Sequence, residues 1–222
     1  MTPMKEDYLK IIFELGGNRK KVTNKDISLG LGIAAGSVTE MISKMASEGL
    51  VNHEPYAGIS LTPKGLKYAA ELVRKHRLWE TFLVDKLQYN LADVHPEAEV
   101  LEHNTSDRLA TALDSFLGHP RYCPHGGVIP SASGEFADAS HRVLADGKDG
   151  EHVELLRFLD NHDLLTYLNE CGLTPHQNVT VIKHEPFDGP VVIKPDGQDD
   201  TISVSYKAAH NVFINEVGQS ED

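Results

Sequence analysis

Apolar positions recur at helical spacing through the first half of the chain and give way to short runs of strand character in the last third. Tyr8, Ile11, Ile12 and Leu15 share a face, which predicts an amphipathic helix over residues 3–15, with Thr2 placed to cap it and Pro3 suited to its first turn. Gly16-Gly17-Asn18 ends that helix. Thr23 is placed to cap a short helix over 24–31, to which Ile27, Leu29 and Leu31 bring apolar contacts. A turn at 32–36 leads to a further helix over 37–47, with Val38, Met41, Ile42 and Met45 on its inner face. Two short helices joined in this way form a helix-turn-helix. A strand-like stretch to His53, a turn at 55–58 and Ile59-Ser60-Leu61-Thr62 follow as a two-stranded wing, and a long helix runs from Thr62-Pro63 to about residue 89. Helix, helix-turn-helix, wing, helix is the order of a winged-helix DNA-binding domain.

The long helix carries Leu72, Leu78, Trp79, Phe82, Leu83 and Leu87, more apolar surface than one neighbour needs, so a partner chain is expected to cover part of it. Pro96 suits the first turn of a helix reaching His103, and Ser106 caps another whose stripe is Leu109, Leu113, Phe116 and Leu117. Gly118-His119-Pro120 stops it. Residues 119–150 read as a linker rich in Gly, Pro, Ser and Asp that contains Arg121-Tyr122-Cys123-Pro124-His125-Gly126-Gly127-Val128-Ile129-Pro130. Beyond Glu151, strands are expected at 153–158, 179–182, 191–193, 201–204 and 211–214, with a short helix over 164–171. That pattern suits a small SH3-like β-barrel. The fold class is therefore mainly α with small β: a winged helix over 1–63, a helical dimerisation domain over 64–118, the linker, and the barrel over 151–217.

The 222 residues include two cysteines, too few for a disulfide framework, and no apolar run approaches membrane-spanning length. With no signal-peptide apolar region, a cytoplasmic protein is the expectation. The formal net charge of −12 argues against the whole molecule coating nucleic acid. Its distribution changes that picture: residues 1–77 hold 12 Lys/Arg against 8 Asp/Glu, and the remainder holds 9 against 25. A mildly basic head on an acidic body suits DNA binding by the head alone.

On the second helix of the pair the outward residues are Ser37, Thr39, Glu40, Ser43 and Lys44, with Ala34, Ala35 and Gly36 at its entry. Small residues permit close approach, alanine methyls can meet thymine methyls, and Glu40 can accept from cytosine N4. Lys44, Lys25 and the run Arg19-Lys20-Lys21 suit phosphates. The helix has no arginine, so DNA shape is expected to contribute to recognition. Elsewhere, Glu99, Glu102 and His103 stand at i, i+3 and i+4 on one face, as a divalent-cation site or as a solvated acidic face. The residues alone leave both readings open. His76 and Glu80 share a face of the long helix, and Cys123 and His125 lie two apart in a loop stiffened by proline.

Taken together, KEDYLK, EGLV with LTPKG, RKHRLWETFL, HPEAEVLEHNTSDRL and CPHGGVIP make the chain resemble, over nearly its whole length, the diphtheria toxin repressor family of metal-dependent transcription regulators. Within that family it looks similar to the manganese-responsive members of streptococci and related lactic bacteria. The resemblance implies a regulatory metal site at Asp7, Glu99, Glu102 and His103, and a second at His76, Glu80, His95, Cys123, His125 and Asp160. Asp7 stands where iron-type members carry a methionine and Glu99 where they carry a cysteine, which favours Mn²⁺, with Fe²⁺ or Zn²⁺ as further candidates. The two-manganese subgroup has an acid one helical turn after Asp7, where this chain has Lys10. The implied partner is double-stranded operator DNA, met by a homodimer with one or two dimers per operator, and neither a membrane nor a small organic substrate. Two rival classes remain to be weighed: a metalloenzyme using the Glu/His cluster, for which the chain offers no nucleophile motif, and a metal-independent DNA-binding regulator.

Overall fold

The computed structural model describes residues 1–54, 57–91, 93–135, 142–159 and 161–217. They form two compact units: Met1–Leu78 with Glu99–Phe116 and Ile129–Ala137, and Trp79–Ala98 with Leu117–Val128 and Asp138–Asp222.

In the first unit, α1 (Pro3–Glu14) is followed by α2 (Asn24–Leu31) and α3 (Ala35–Ser47). A capping box starts α2: Asp26 N donates to Thr23 Oγ1 at 3.1 Å and Thr23 N donates to Asp26 Oδ2 at 3.0 Å. Gly32, at φ 65°, closes it in the left-handed conformation that glycine takes without steric cost. The wing pairs β1 (Val51–Glu54) with β2 (Gly58–Leu61) in antiparallel register, Val51 opposite Leu61. Val22 joins it through a bridge to Ile59, so the segment ahead of α2 is tied to the wing. Tyr8, Leu9 and Ile12 of α1 meet Ile27, Val38, Ile42, Met45, Leu50 and Ile59 in one core, none more than 2% exposed. Each such side chain contributes ~1.5–3 kcal/mol of burial, so α1 is built into the head that carries α3.

The long helix α4 (Pro63–Leu87) and α5 (Val94–Glu102) each run from one unit into the other, and α6 (Asp107–Phe116) lies in the first. Within that unit α4 is tied by Arg77 to Glu14 of α1, and by Lys75 to Asp107 and Arg74 to Asp114 of α6. Ser106 Oγ accepts from Leu109 N at 3.2 Å, the expected cap of α6.

The second unit holds β3 (His152–Phe158), α7 (His162–Glu170), β4 (Gln177–His184), β5 (Val191–Pro195), β6 (Ile202–Val204), α8 (Tyr206–Ala209) and β7 (Val212–Glu216). Among the described residues the strands form an antiparallel sheet in the order β6-β5-β4-β3-β7. Val153, Leu155, Val179, Val181, Ile193, Val204, Val212 and Ile214 pack with Leu165 and Leu168 of α7 into a separate core. Among the described residues the expected barrel is an open ladder, with β6 and β7 as its outer strands, Val143 bridging to Phe213 of β7, and α7 and α8 contributing to its core.

Several local expectations are corrected. Thr2 holds the cap position of α1 without a side-chain hydrogen bond. Leu29 is 71% exposed, on the face of α2 turned from the core. Leu72, Leu78 and Leu83 of the long helix are buried within the chain, so of the expected partner-facing set Leu87 is exposed at its end, and further exposed apolar side chains lie at Val100, Leu109 and Phe116. Among the described residues no helix is long and apolar enough to cross a membrane.

Candidate metal centre

Three sequence-predicted ligands converge in the first unit: Asp7 from α1, Glu102 at the end of α5, and His103 in the turn just beyond it. Their ligand atoms all lie within 4.8 Å of one another. His103 Nε2 is 3.1 Å from Asp7 Oδ1 and 3.6 Å from Glu102 Oε1. Octahedral donors at ~2.1 Å from an ion stand ~3 Å apart, so both the spacing and the oxygen-rich donor set fit a divalent cation. On the far side of the ring, His103 Nδ1 donates to Glu6 Oε2 at 2.7 Å. A histidine that ligates through one nitrogen normally hands the other N–H to a carboxylate, which fixes tautomer and ring direction. Burial pushes the Asp7 carboxyl above its ordinary value, the charge of His103 pulls it down, and Glu99 and Glu102 raise it again.

Glu99, also predicted here, is half exposed and reaches the cluster through a residue not predicted as part of it. Lys10 Nζ lies 3.5 Å from Glu99 Oε1, 3.3 and 3.1 Å from the two Glu102 oxygens, and 3.0 Å from His76 Nδ1. His76 Nδ1 also contacts Glu102 Oε2. Sequence reasoning missed Glu6 as a partner and Lys10 as an occupant. The signal available was modest: both are on α1, and Lys10 follows Glu6 and Asp7 by four and three residues, on the same face.

Of the second predicted set, His76 belongs to the first unit, and Glu80, His95, Cys123 and His125 to the second. Asp160 lies outside the described residues. Glu80, Cys123 and His125 are all buried and bring ligand atoms within 4.8 Å of one another; His95 also brings a ring nitrogen within that distance of Glu80. His125 Nε2 donates to the Leu91 carbonyl at 3.0 Å, which directs Nδ1 toward Glu80 Oε1, 3.0 Å away. The loop is folded tightly: Cys123 N donates to Gly127 O at 2.8 Å, Gly126 N to Cys123 O at 2.9 Å, and Phe158 N of β3 to His125 O at 3.1 Å. A carboxylate, a thiol and an imidazole nitrogen aimed at one buried point fit a divalent ion, of softer preference than the first cluster.

Ala34 at the N-cap of α3 and Ala35, Ser37, Thr39, Glu40 and Lys44 on it are exposed, as is Lys25 on α2. Thr39 is already engaged: its hydroxyl donates to Ala35 O at 3.1 Å and accepts from Asn24 Nδ2 at 3.0 Å, tying α2 to α3. Lys21 reaches across to Glu54 of the wing, and Lys5 to Glu48 after α3 at 2.6 Å.

A winged helix-turn-helix head joined to carboxylate-histidine clusters defines a metal-binding DNA-binding protein, and comparison with known proteins sharpens the class. Residues 1–59 match the family described as "Iron dependent repressor, N-terminal DNA binding domain", residues 62–131 "Iron dependent repressor, metal binding and dimerisation domain", and residues 142–216 "FeoA domain". The solved manganese regulator SloR is 38% identical, with 97% of this chain and 100% of that chain covered and a TM-score of 0.84. A manganese-dependent transcriptional repressor solved in complex with manganese is 35% identical, covering 96% and 99%, with a TM-score of 0.85. The iron-dependent repressor IdeR of Mycobacterium leprae is 29% identical over 225 residues, 96% of each chain. The chain belongs to the iron-dependent repressor family: it is a metal-dependent, DNA-binding transcriptional repressor with a metal-binding and dimerisation domain, and not an enzyme.

Proposed function

We propose that the protein is a manganese-activated repressor of metal-uptake and metal-homeostasis genes, acting in the cytoplasm as a homodimer on a palindromic operator. One observation carries the reading: Asp7 of α1 lies 3.1 Å from His103, which is 96 residues away beyond α5. The next two residues of α1, Tyr8 and Leu9, are core residues packed with α2 and α3. A force on Asp7 is therefore felt by the recognition helix.

Asp7, Glu99, Glu102 and His103 would hold the regulatory ion, with Glu6 orienting His103. Glu80, Cys123 and His125 would hold a second, with His76, His95 and Asp160 as further contributors. The ion supplies the positive charge that lets several carboxylates converge. Asp7 then fixes α1, and the head with it, against the end of α5 and against α4. Oxygen-rich donors at the regulatory site favour Mn²⁺, and relatives described as a manganese regulator and as a manganese-dependent repressor support that choice. Ala34, Ala35, Ser37, Thr39, Glu40 and Lys44 would face the major groove, with Lys25 on the backbone. The exposed Val100, Leu109 and Phe116, all within the segment matched to a dimerisation domain, would be covered by the second copy.

A ligand shifts a two-state equilibrium only by its differential affinity for the two states; coupling of ~1–3 kcal/mol corresponds to ~5–150-fold in operator affinity. By linkage, DNA tightens metal binding by the same factor. The test uses duplexes selected by the Mn²⁺-loaded protein from a random pool. Fluorescence anisotropy then follows binding during separate titrations with Mn²⁺, Fe²⁺ and Zn²⁺, with metal content measured on the same protein. Mn²⁺ is expected to tighten binding at least tenfold. Unchanged affinity at saturating Mn²⁺ overturns the reading.

A further inference from the structure

Glu102 has a fully buried side chain, and the cation nearest to it comes from the protein itself. We propose that the Lys10 ammonium takes the place of a second metal ion, so that the cluster of Asp7, Glu102 and His103 accepts one divalent ion and not two. The inference rests on the metal-site reading above.

Lys10 Nζ contacts only ligand-type atoms among the contacts described: His76 Nδ1, one oxygen of Glu99 and both oxygens of Glu102. Two carboxylates and an imidazole are the same donor types as the neighbouring triad. Glu102 is shared between the two positions, with Oε1 3.6 Å from His103 Nε2 and both oxygens within 3.3 Å of Nζ. A carboxylate bridging two cation positions is the arrangement of a two-metal site, in which the ions stand ~3.5–4 Å apart. An ammonium has three donors; here both Glu102 oxygens lie within hydrogen-bond distance of it, Glu99 pairs with it as an ion, and His76 Nδ1 stands beside it and Glu102 alike. The Lys10 side chain is only 11% exposed, so solvent does little to screen its charge from an incoming ion. Lys10 thereby holds Glu102, Glu99 and His76 in place before metal arrives, and weakens the attraction of the cluster for the ion that does arrive.

The experiment counts Mn²⁺ by electron paramagnetic resonance in a Cys123→Ser, His125→Ala background, which removes the second cluster. Chains carrying Lys10, Lys10→Gln or Lys10→Glu are compared, with folding checked by thermal melting. The Lys10 chain is expected to bind one ion with an uncoupled spectrum. Lys10→Gln keeps a donor without the charge, and is expected to bind one ion at least tenfold more tightly. Lys10→Glu is expected to bind two ions with an exchange-coupled spectrum. If that combined variant does not fold, the appearance of the coupled signal is read in Lys10→Glu with Cys123 and His125 intact. One ion in Lys10→Glu, two in the Lys10 chain, or unchanged affinity in Lys10→Gln overturns the inference while leaving the metal site standing. No ion bound by the Lys10 chain overturns the metal-site reading and the inference together.

Discussion

Replacing Gly126 by alanine tests whether the tight loop on β3 is what aims Cys123 and His125. Gly126 sits at φ +81°, and an added Cβ would stand 2.2 Å from the Leu156 carbonyl oxygen, 3.0 Å from Pro175 Cβ and 3.1 Å from Arg157 Cα. The first and last of these are backbone atoms of β3, which cannot move aside without disturbing its ladders to β4 and β7. A left-handed conformation costs a residue with a Cβ ~1–2 kcal/mol, and overpacking typically adds ~1–3 kcal/mol. The expected cost of ~2–5 kcal/mol is a large share of the ~5–15 kcal/mol that holds a domain together. The loop can escape it only by lifting from β3, which breaks the Phe158 N to His125 O bond and draws both ligands from Glu80. Gly126→Ala is therefore expected either to lower the melting temperature by at least ~8 °C, at ~4–8 °C per kcal/mol for a domain of this size, or to lose metal at this cluster. Scanning calorimetry reads the first outcome. The thiolate charge-transfer band of added Co²⁺ reads the second, since it requires Cys123 on the ion. A variant that melts within about 2 °C of the parent and keeps the full band refutes the reasoning.

Other substitutions separate the remaining parts. Asp7→Asn keeps shape but removes the carboxylate charge beside His103 Nε2, so Mn²⁺ should change operator affinity less than ~3-fold, against the ~5–150-fold expected of the parent, in the same anisotropy assay. Glu6→Gln leaves the candidate ligands in place but loosens the ring of His103, and calorimetry should show Mn²⁺ affinity at the regulatory site falling ~10–100-fold; an unchanged constant would remove Glu6 from that role. Phe116→Glu puts a charge on a side chain that is 65% exposed in the single chain, and should shift sedimentation from dimer toward monomer while leaving the melting of the second unit alone. The Arg142 guanidinium beside Glu151, with both N–O distances 2.5 Å, holds that carboxyl well below its ordinary value of 4.5, at about 2. A folded value below the unfolded one stabilises above pH ~4.5 and loses that stabilisation as pH falls toward 2. Glu151→Gln should therefore lower stability near neutral pH, by ~1 kcal/mol for a part-buried pair at the surface, with the difference from the parent closing at pH 2 in melting curves.

The order helix, helix-turn-helix, wing, helix was legible in the sequence because it rests on local devices: the Thr23–Asp26 box, Gly32 in the left-handed region, and Val38, Ile42 and Met45 at helical spacing. Strand positions in the last third were legible for the same reason, through Val and Ile runs between turn residues. Whether those strands close was not, since edge pairing depends on what α7 and α8 cover. Leu29 is not a core residue because it stands two positions from Ile27, ~200° around the helix, and so faces away from the buried side.

The sequence by itself determined the residue types of the candidate metal centre and which of them share a helix face: Glu99 with Glu102 and His103, and His76 with Glu80. Only the tertiary structure decided what stands opposite each face. It brought Asp7 to His103, turned Nδ1 of that ring to Glu6, and set Lys10 among Glu99, Glu102 and His76. It also pressed Gly126 against β3, so that His125 meets Glu80. The physical reason is one of range. Helical spacing and capping act within a turn or two of the chain, whereas these contacts join residues 30 to 97 positions apart and exist only once the cores on either side of them have packed.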